Sequence, residues 1–363
     1  MEAARDGRAA TTESTVLMVA VTAVDELCAI VADATAIAPV GSRTHWEVGG
    51  PPPSGPHVAY VTAPDGVVTY DPADLTVTVG GGTTCAELAE VLGAAGQECA
   101  LDPRDGAATV GGVLATGLSG HRRLRLGPLR DRVLEVRFVS ADGRLVKAGG
   151  PTVKNVSGYD LPRLLVGSLG TIGVLVQVTL RCQPRPTSSQ WFTTAADPFV
   201  ARRALYRPSC LAWDGTTTHV LLEGVAADVD AERNRLAAPA ARSEPPTWPE
   251  GAHRARISVR PSVLSALTPD LDAAGVRWLA EVGVGTVHVA ADAEQALAQA
   301  RAAATGAGGW MLREAGAPGL DGFGVASPNA RLAERVRAAF DPTRKCSPGR
   351  LPRTTPLVEG SDD

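Results

Sequence analysis

Residues 103–173 constrain this chain more than any other stretch. They open Pro103-Arg104-Asp105-Gly106-Ala107-Ala108-Thr109-Val110-Gly111-Gly112-Val113-Leu114-Ala115-Thr116-Gly117-Leu118-Ser119-Gly120 and close on Gly167-Ser168-Leu169-Gly170-Thr171-Ile172-Gly173. Glycines and small hydroxylated residues are set between short apolar runs. Glycine lets a ligand or a second backbone approach closely, and successive free amides form a concave nest for anions. Such a surface suits a bulky anionic ligand and reads as neither plain core nor linker.

At 363 residues the chain has room for two domains with separate cores. Its 44% hydrophobic and 20% charged residues are those of an ordinary globular protein, and a net charge of −4 gives no case for nucleic acid or an anionic membrane surface. The six cysteines (Cys28, Cys85, Cys99, Cys182, Cys210 and Cys346) are scattered, with no C-x-x-C pair. That argues against an iron–sulfur cluster or structural zinc within the chain, and against a disulfide scaffold at this length. No metal site is expected. The polar, acidic N-terminus lacks the basic-then-apolar pattern of a signal peptide. No apolar run approaches ~20 residues, so no transmembrane segment and a cytoplasmic location are expected.

Read in order, residues 1–14 are expected to be disordered. Residues 14–21 suggest a short strand, and Thr22 caps a helix to about Ala34 with Asp25 and Glu26 in its first turn. Residues 37–40 form a strand, followed by a polar glycine turn from Gly41 to Gly50. Residues 67–70 and 75–79 alternate as strands about the turn Asp71-Pro72-Ala73-Asp74. Gly80-Gly81-Gly82-Thr83-Thr84 resembles a phosphate loop but lacks the G-K-[ST] ending, so Thr83 or Thr84 reads as a cap for the helix 86–95. Residues 133–139 and 145–148 make a hairpin with an Asp142-Gly143 turn. Arg122, Arg123, Arg125, Arg130, Arg132 and Arg137 read mostly as a solvated face. Pro184, Pro186 and Ser188-Ser189 mark a boundary. Beyond it, strands at 191–194, 220–223 and 286–290 and helices at 228–236 and 293–304 predict an α+β domain, with a Pro- and Ala-rich loop at 238–251. A last helix covers 329–340.

Together these blocks resemble the p-cresol methylhydroxylase/vanillyl alcohol oxidase superfamily of FAD-binding proteins, and within it the FAD-binding subunits of bacterial glycolate oxidases. The resemblance covers residues 15–184 and, more loosely, 185–355. Further residues that carry it are Pro39-Val40-Gly41, Arg123-Leu124-Arg125-Leu126-Gly127, Lys154-Asn155-Val156-Ser157-Gly158-Tyr159-Asp160, and Phe340-Asp341-Pro342 with Ser347-Pro348-Gly349-Arg350. It implies an α+β fold: a two-subdomain FAD-binding domain of this type over 15–184, a cap with an antiparallel sheet over 185–325, and a C-terminal segment, 326–363, that returns to the FAD domain. It implies a first pyrophosphate loop at Val40, Gly41, Ser42, Arg43, Thr44 and His45. Pro103, Ala108, Thr109, Gly111, Gly112, Thr116, Ser119 and Gly120 would line the pyrophosphate and flavin ring. Ile172, Gly173 and Val174 would meet the adenine side through backbone atoms.

Two positions depart from the family pattern: Arg43 stands where a glycine is usual, and Ser347 where the closing motif carries asparagine. Some relatives attach flavin through a histidine of the first loop. Thr44 rather than His45 aligns there, which implies non-covalent FAD.

Oxidising a 2-hydroxy acid requires a base for the hydroxyl proton, cations for the carboxylate and a hydride acceptor. Relatives that do so carry a His-x-Gly-Asp-Gly-Asn-x-His-like cluster in the cap, often with a metal, and nothing of that form occurs here. His219, His253 and His288 read as isolated, with His288 a structural histidine in an apolar strand. His121 is the histidine expected nearest the flavin, and Lys154 and Tyr159 are placed near it by resemblance. No catalytic base is assigned. The resemblance therefore implies an FAD-binding subunit of a glycolate (2-hydroxy acid) oxidase or dehydrogenase complex. Its partners would be a larger homologous flavin subunit and an iron–sulfur subunit, with peripheral membrane association only through them. The alternatives are a self-sufficient FAD-dependent oxidase of another alcohol or hydroxy acid, and a flavin-free assembly subunit, which Arg43 alone favours.

Overall fold

A computed structural model describes residues 18–19, 23–151, 159–325 and 329–352. The expected disorder of 1–14, the Thr22 cap and the motif residues 154–158 lie outside them. The expected α+β architecture holds, with 18 strands and ten α-helices among the described residues.

The chain begins with β1 (Met18–Val19), helix α1 (Val24–Asp33), β2 (Ala36–Pro39) and β3 (Val58–Val61), whose strands form a parallel sheet in the order β1-β3-β2. Next come β4 (Val67–Asp71), β5 (Thr76–Gly80), helix α2 (Cys85–Ala94), β6 (Gln97–Glu98), helix α3 (Val110–Thr116) and the short helix α4 (Arg123–Leu126). The hairpin β7 (Val133–Val139) and β8 (Leu145–Gly149), helix α5 (Leu161–Leu165), β9 (Val174–Arg181) and β10 (Gln183–Pro184) complete this part. A five-stranded antiparallel sheet runs β4-β5-β9-β7-β8. Its central strands put Val77, Val79, Val136 and Phe138 against Leu88 and Leu92 of α2 and Val110, Val113 and Leu114 of α3. Leu27 and Val31 of α1 pack with Ile37, Val61, Val139 and Val174, which joins the two sheets.

Local chemistry explains several boundaries. Thr84 caps α2 with a full capping box: its hydroxyl accepts from the Glu87 amide at 3.2 Å, and Glu87 Oε2 accepts from the Thr84 amide at 2.9 Å. Thr84→Ala is expected to cost about 1 kcal/mol, measured by urea unfolding. An unchanged midpoint would mean that neighbouring contacts hold the helix start alone. Helix α1 starts at Ala23 with no side-chain cap, although Asp25 and Glu26 sit in its first turn as read from the sequence.

The second half is built on one eight-stranded antiparallel sheet. Its members are β11 (Ser188–Thr194), β12 (Cys210–Trp213), β13 (Thr218–Gly224), β14 (Ala240–Ser243), β15 (His253–Ser258), β16 (Arg277–Glu281), β17 (Thr286–Ala291) and β18 (Trp310–Ala315), in the order β14-β11-β13-β12-β16-β17-β15-β18. Helices α6 (Pro198–Ala204), α7 (Ala226–Arg233), α8 (Leu264–Ala273) and α9 (Glu294–Gly306) accompany it. Phe192, Leu211, Val220, Ile257 and Val289 pack with Leu267, Leu271 and Leu297 of the helices on one face. Side chains alternate along a strand, so Glu223, Arg254, Arg256, Leu279, Glu281 and His288 project from the other face. Strand β14 lies within 238–251, which reads as a loop from sequence.

Helix α10 (Ala330–Phe340) leads into a tail that returns to the first sheet. Cys346 bridges Ile37 in parallel, with the Ile37 amide donating to Lys345 O and the Ser347 amide to Ile37 O, both at 2.8 Å. The fully buried Asp341 accepts from the Lys345 and Cys346 amides at 3.1 and 2.8 Å and thereby shapes the turn. Lys345 Nζ donates to Val31 O and Ala32 O at the end of α1, where a cation also complements the helix dipole. Arg350 donates to Trp46 O and Gly50 O.

Candidate functional site

The loop after β2, Gly81-Gly82 after β5, the start of α3, the 168–170 turn and the start of β9 enclose a cleft. Its empty space is about 910 Å³, mouth included, inside the roughly 300–1,000 Å³ common for cofactor sites. The walls are largely bare backbone. A Cβ on Gly41 would collide with Thr109 Oγ1, one on Gly81 with Leu175 O, and one on Gly111 would stand 2.8 Å from Gly81 O. Thr109 Oγ1 itself accepts from the Gly112 amide and starts α3. Among the described residues, the amides of Ser42, Thr44 and His45 have no acceptor within the chain. Among the described residues, the lining includes Arg43 and Arg350 and no carboxylate. Burial, reinforced by Arg313, lowers Arg350 to about 10, which leaves it a cation at neutral pH.

Arg43 takes the left-handed conformation that glycine adopts freely, with φ of 61°. The turn is thus kept at a backbone cost of about 1–2 kcal/mol. The guanidinium lies over the Trp46 ring, 5.5 Å from its centroid, which returns part of that cost. Arg43→Gly is therefore expected to change stability by less than about 1 kcal/mol, since strain relief is set against the lost stacking and a looser unfolded chain. Arg43→Val, β-branched at positive φ, is expected to lose about 2 kcal/mol by thermal melting. Equal melting of the two variants would contradict this account. Ser347, the other departure from the family pattern, is also left-handed, with φ of 43°.

Of the residues expected to hold a cofactor, Val40, Gly41, Ser42, Arg43, Thr44, His45, Thr109, Gly111, Gly112, Thr116, Gly173 and Val174 line this cleft. Pro103 and Ser119 line a neighbouring pocket instead. Ala108, Gly120 and Ile172 line neither; Ala108 and Ile172 belong to the core, and Gly120 packs against Asp102. Gly81, Gly82, Leu169, Gly170 and Arg350 are added to the cleft without having been singled out for it from sequence. Tyr159, placed near the cofactor by resemblance, is 94% exposed.

Two readings of polar residues are corrected. The arginine group is not mainly a solvated face: Arg122, Arg125 and Arg132 are spent on internal partners, with Arg125 donating to Glu223 O and Arg132 to Leu126 O. His288 is not isolated. Its Nδ1 meets Arg104 Nη2 at 2.7 Å, and its Nε2 faces Glu281 Oε1 at 3.5 Å. His121 faces the same carboxylate at 3.6 Å and stacks on Trp248 with centroids 3.9 Å apart, so it turns toward the cap sheet and lines neither cavity. Burial raises the Glu281 carboxyl, but the flanking imidazoles outweigh it and hold the group ionised at about 2. Burial pushes His288 below its ordinary value. It does the same to His45, opposed by Glu314 and aided by Arg104, while His45 Nδ1 bonds Thr44 Oγ1 at 3.0 Å.

Comparison with known proteins gives this geometry a class. Residues 16–149 match the FAD binding domain family. Glycolate oxidase subunit GlcE of Escherichia coli K12 is 42% identical over 126 residues, 34% of this chain and 36% of that protein. D-2-hydroxyglutarate dehydrogenase of Xanthomonas citri pv. viticola is 32% identical over 221 residues, 56% of this chain and 46% of that protein. Alkyldihydroxyacetonephosphate synthase shares the fold, with a TM-score of 0.68 at 16% identity over 91% of this chain and 75% of that one. The chain contains an FAD-binding domain of the p-cresol methylhydroxylase type. The cleft fits that cofactor: a diphosphate calls for amide donors, close backbone approach and no opposing carboxylate, and all three are present.

Proposed function

We propose that this chain is the FAD-holding subunit of a complex that oxidises glycolate or a related 2-hydroxy acid. The observation that carries the reading is the bare cleft at the glycine-rich segments, with no carboxylate among its described lining residues, together with the 42% identity to a glycolate oxidase subunit over 126 residues. Bound FAD would supply a two-electron acceptor. The chain's own part is to hold and orient it. The 42–45 loop and the 109–112 turn would receive the diphosphate, Gly173 and Val174 would flank the adenine side, and Arg350 would tie the returning tail to the Trp46 wall. Engagement of His45 Nδ1 by Thr44 supports non-covalent binding. The partners proposed are a larger homologous flavin subunit and an iron–sulfur subunit that passes electrons onward. The retained left-handed turn at Arg43 weighs against a flavin-free assembly role.

The test is the visible spectrum of the purified chain before and after anaerobic glycolate, followed by acid precipitation. Flavin absorbance that is released by acid, and that glycolate bleaches only when the partner subunits are present, is the expected result. A colourless chain that also rejects added FAD would end this reading. Bleaching of the isolated chain by glycolate would end the dependence on partners.

A further inference from the structure

Beside the flavin cleft lies a second pocket, with about 830 Å³ of empty space, mouth included. Thr44 and His45 line both cavities, so one short loop forms the wall between them. The far wall is the polar face of the cap sheet. Arg254 and Arg256 stand two apart on β15 and share that face, with His288 the register partner of Arg256 on β17.

The direct pairing of this pocket's guanidinium groups is incomplete, although Asp102, Asp105 and Glu314 share its lining with Arg104, Arg254 and Arg256. Arg256 is 8% exposed, yet among the described residues its side chain makes no hydrogen bond or ion pair, and its Nε is buried without a partner. Arg254 likewise has a buried, unpartnered Nε. The nearby acids are committed elsewhere. Asp102 is held by Arg122 at 2.6 Å, and Asp105 caps the Ala107 amide at 2.8 Å. Glu314 pairs with Arg104 at 3.3 Å. Burial works against the Arg256 cation, and Glu314 and Glu281 attract it only without direct contact; a guanidinium buried without a bonded partner is costly, and an anion drawn from solvent would reduce that cost.

Arg104 is aimed rather than loose. Its guanidinium lies 4.3 Å from the Trp248 ring centroid and contacts both Glu314 and His288. Arginine has no acceptor, so His288 Nδ1 must be the unprotonated nitrogen there. The proton of the neutral ring then sits on Nε2, facing Glu281. The arrangement Glu281–His288–Arg104 thus fixes one guanidinium at the pocket wall and occupies the lone pair His288 would need to act as a base.

We propose that this pocket binds a small carboxylate, with Arg256 and Arg104 as its receptors and His288 as the positioning residue that fixes Arg104. The inference rests on the proposed function for its expectation that the acid is a 2-hydroxy acid. It gives this chain an acid-binding site of its own beside the cofactor.

Calorimetric titration of the full-length chain, as isolated with its flavin, tests it, with oxalate as a non-oxidisable probe, glycolate alongside and sulfate as the competing anion. Saturable oxalate binding is expected, with Trp248 fluorescence changing in step. Arg256→Met is expected to weaken binding about tenfold or more, with flavin absorbance unmoved and the melting temperature of the ligand-free chain not lowered. Arg256→Lys should fall between. His288→Asn, whose amide oxygen can still accept from Arg104, should stay within about threefold of the parent, whereas His288→Leu should lose about tenfold. A yellow chain that does not bind oxalate, or one in which Arg256→Met binds as before, would overturn the proposal and leave the flavin reading standing. Displacement of oxalate by equimolar sulfate would replace it with a general anion hole. A colourless chain that still binds oxalate would do the reverse, keeping the pocket and removing the flavin. Equal loss in His288→Asn and His288→Leu would remove the positioning role.

Discussion

Arg122→Met is expected to lower the unfolding free energy by about 3–5 kcal/mol, the range for removing one partner of a buried ion pair. Arg122 is 15% exposed and faces three carboxylates. It grips Asp102 with Nε and Nη2 at 2.8 and 2.6 Å, reaches Glu98 with Nη1 at 2.7 Å, and lies 3.5 Å from Glu223. Burial alone would lower its pKa, but hydrogen bonds and attraction from Asp102 and then Glu98 outweigh that and raise it. Glu223 belongs to β13, so the cluster also fastens the cap sheet to the first half of the chain. Methionine fills similar volume and leaves three negative groups crowded at a poorly hydrated seam. Urea unfolding followed by both tryptophan emission and far-ultraviolet dichroism measures the loss. Separation of the two transitions would show the halves uncoupling before either melts. A loss under 1 kcal/mol would show that the cluster behaves as a solvated surface pair.

Gly41→Val is expected to weaken FAD binding roughly a hundredfold, about 3 kcal/mol. No side chain fits at position 41, because the space is taken by Thr109 Oγ1, which is itself engaged at the start of α3. The loop must lift away from the 109–112 turn, and the amides of Ser42, Thr44 and His45 then lose their common aim. Fluorescence titration of the flavin-depleted chain with FAD gives the affinity. The effect should exceed that of Gly55→Val, a position with φ of 122° but nothing within 4 Å of the added atom. Similar losses at the two positions would assign the effect to general backbone disturbance rather than to the cleft.

What could be read from sequence follows the range of the forces involved. The helix cap at Thr83 or Thr84, the Asp142-Gly143 hairpin and the glycine runs announce themselves within a few residues, and the structure assigns the cap to Thr84. The cap sheet was harder. Strand β17 is buried along its whole length, so Thr286-Val287-His288-Val289 shows no clean exposure alternation. Strand β15 carries Arg254 and Arg256 on a face that the FAD domain covers, and so resembles a surface segment. Helix α8 contains Pro269, which argues against a helix when read locally. The Arg104–His288 contact joins residues 184 positions apart, and no spacing rule could have announced it. At Arg43 the sequence departs from the family's glycine, while the fold keeps the left-handed turn on an unfavourable residue.

The returning tail sets an order of assembly. The first parallel sheet gains its Cys346 edge, and the Trp46 wall its Arg350 anchor, from residues about 300 positions downstream of their partners. On the ribosome, the cleft therefore lacks Ser347 and Arg350 of its lining until synthesis has passed the eight-stranded sheet. Chains interrupted anywhere before residue 341 would emerge with an unfinished vestibule and an unpaired β2 edge. Flavin capture would then report completed translation, with aborted products left colourless and open to proteolysis.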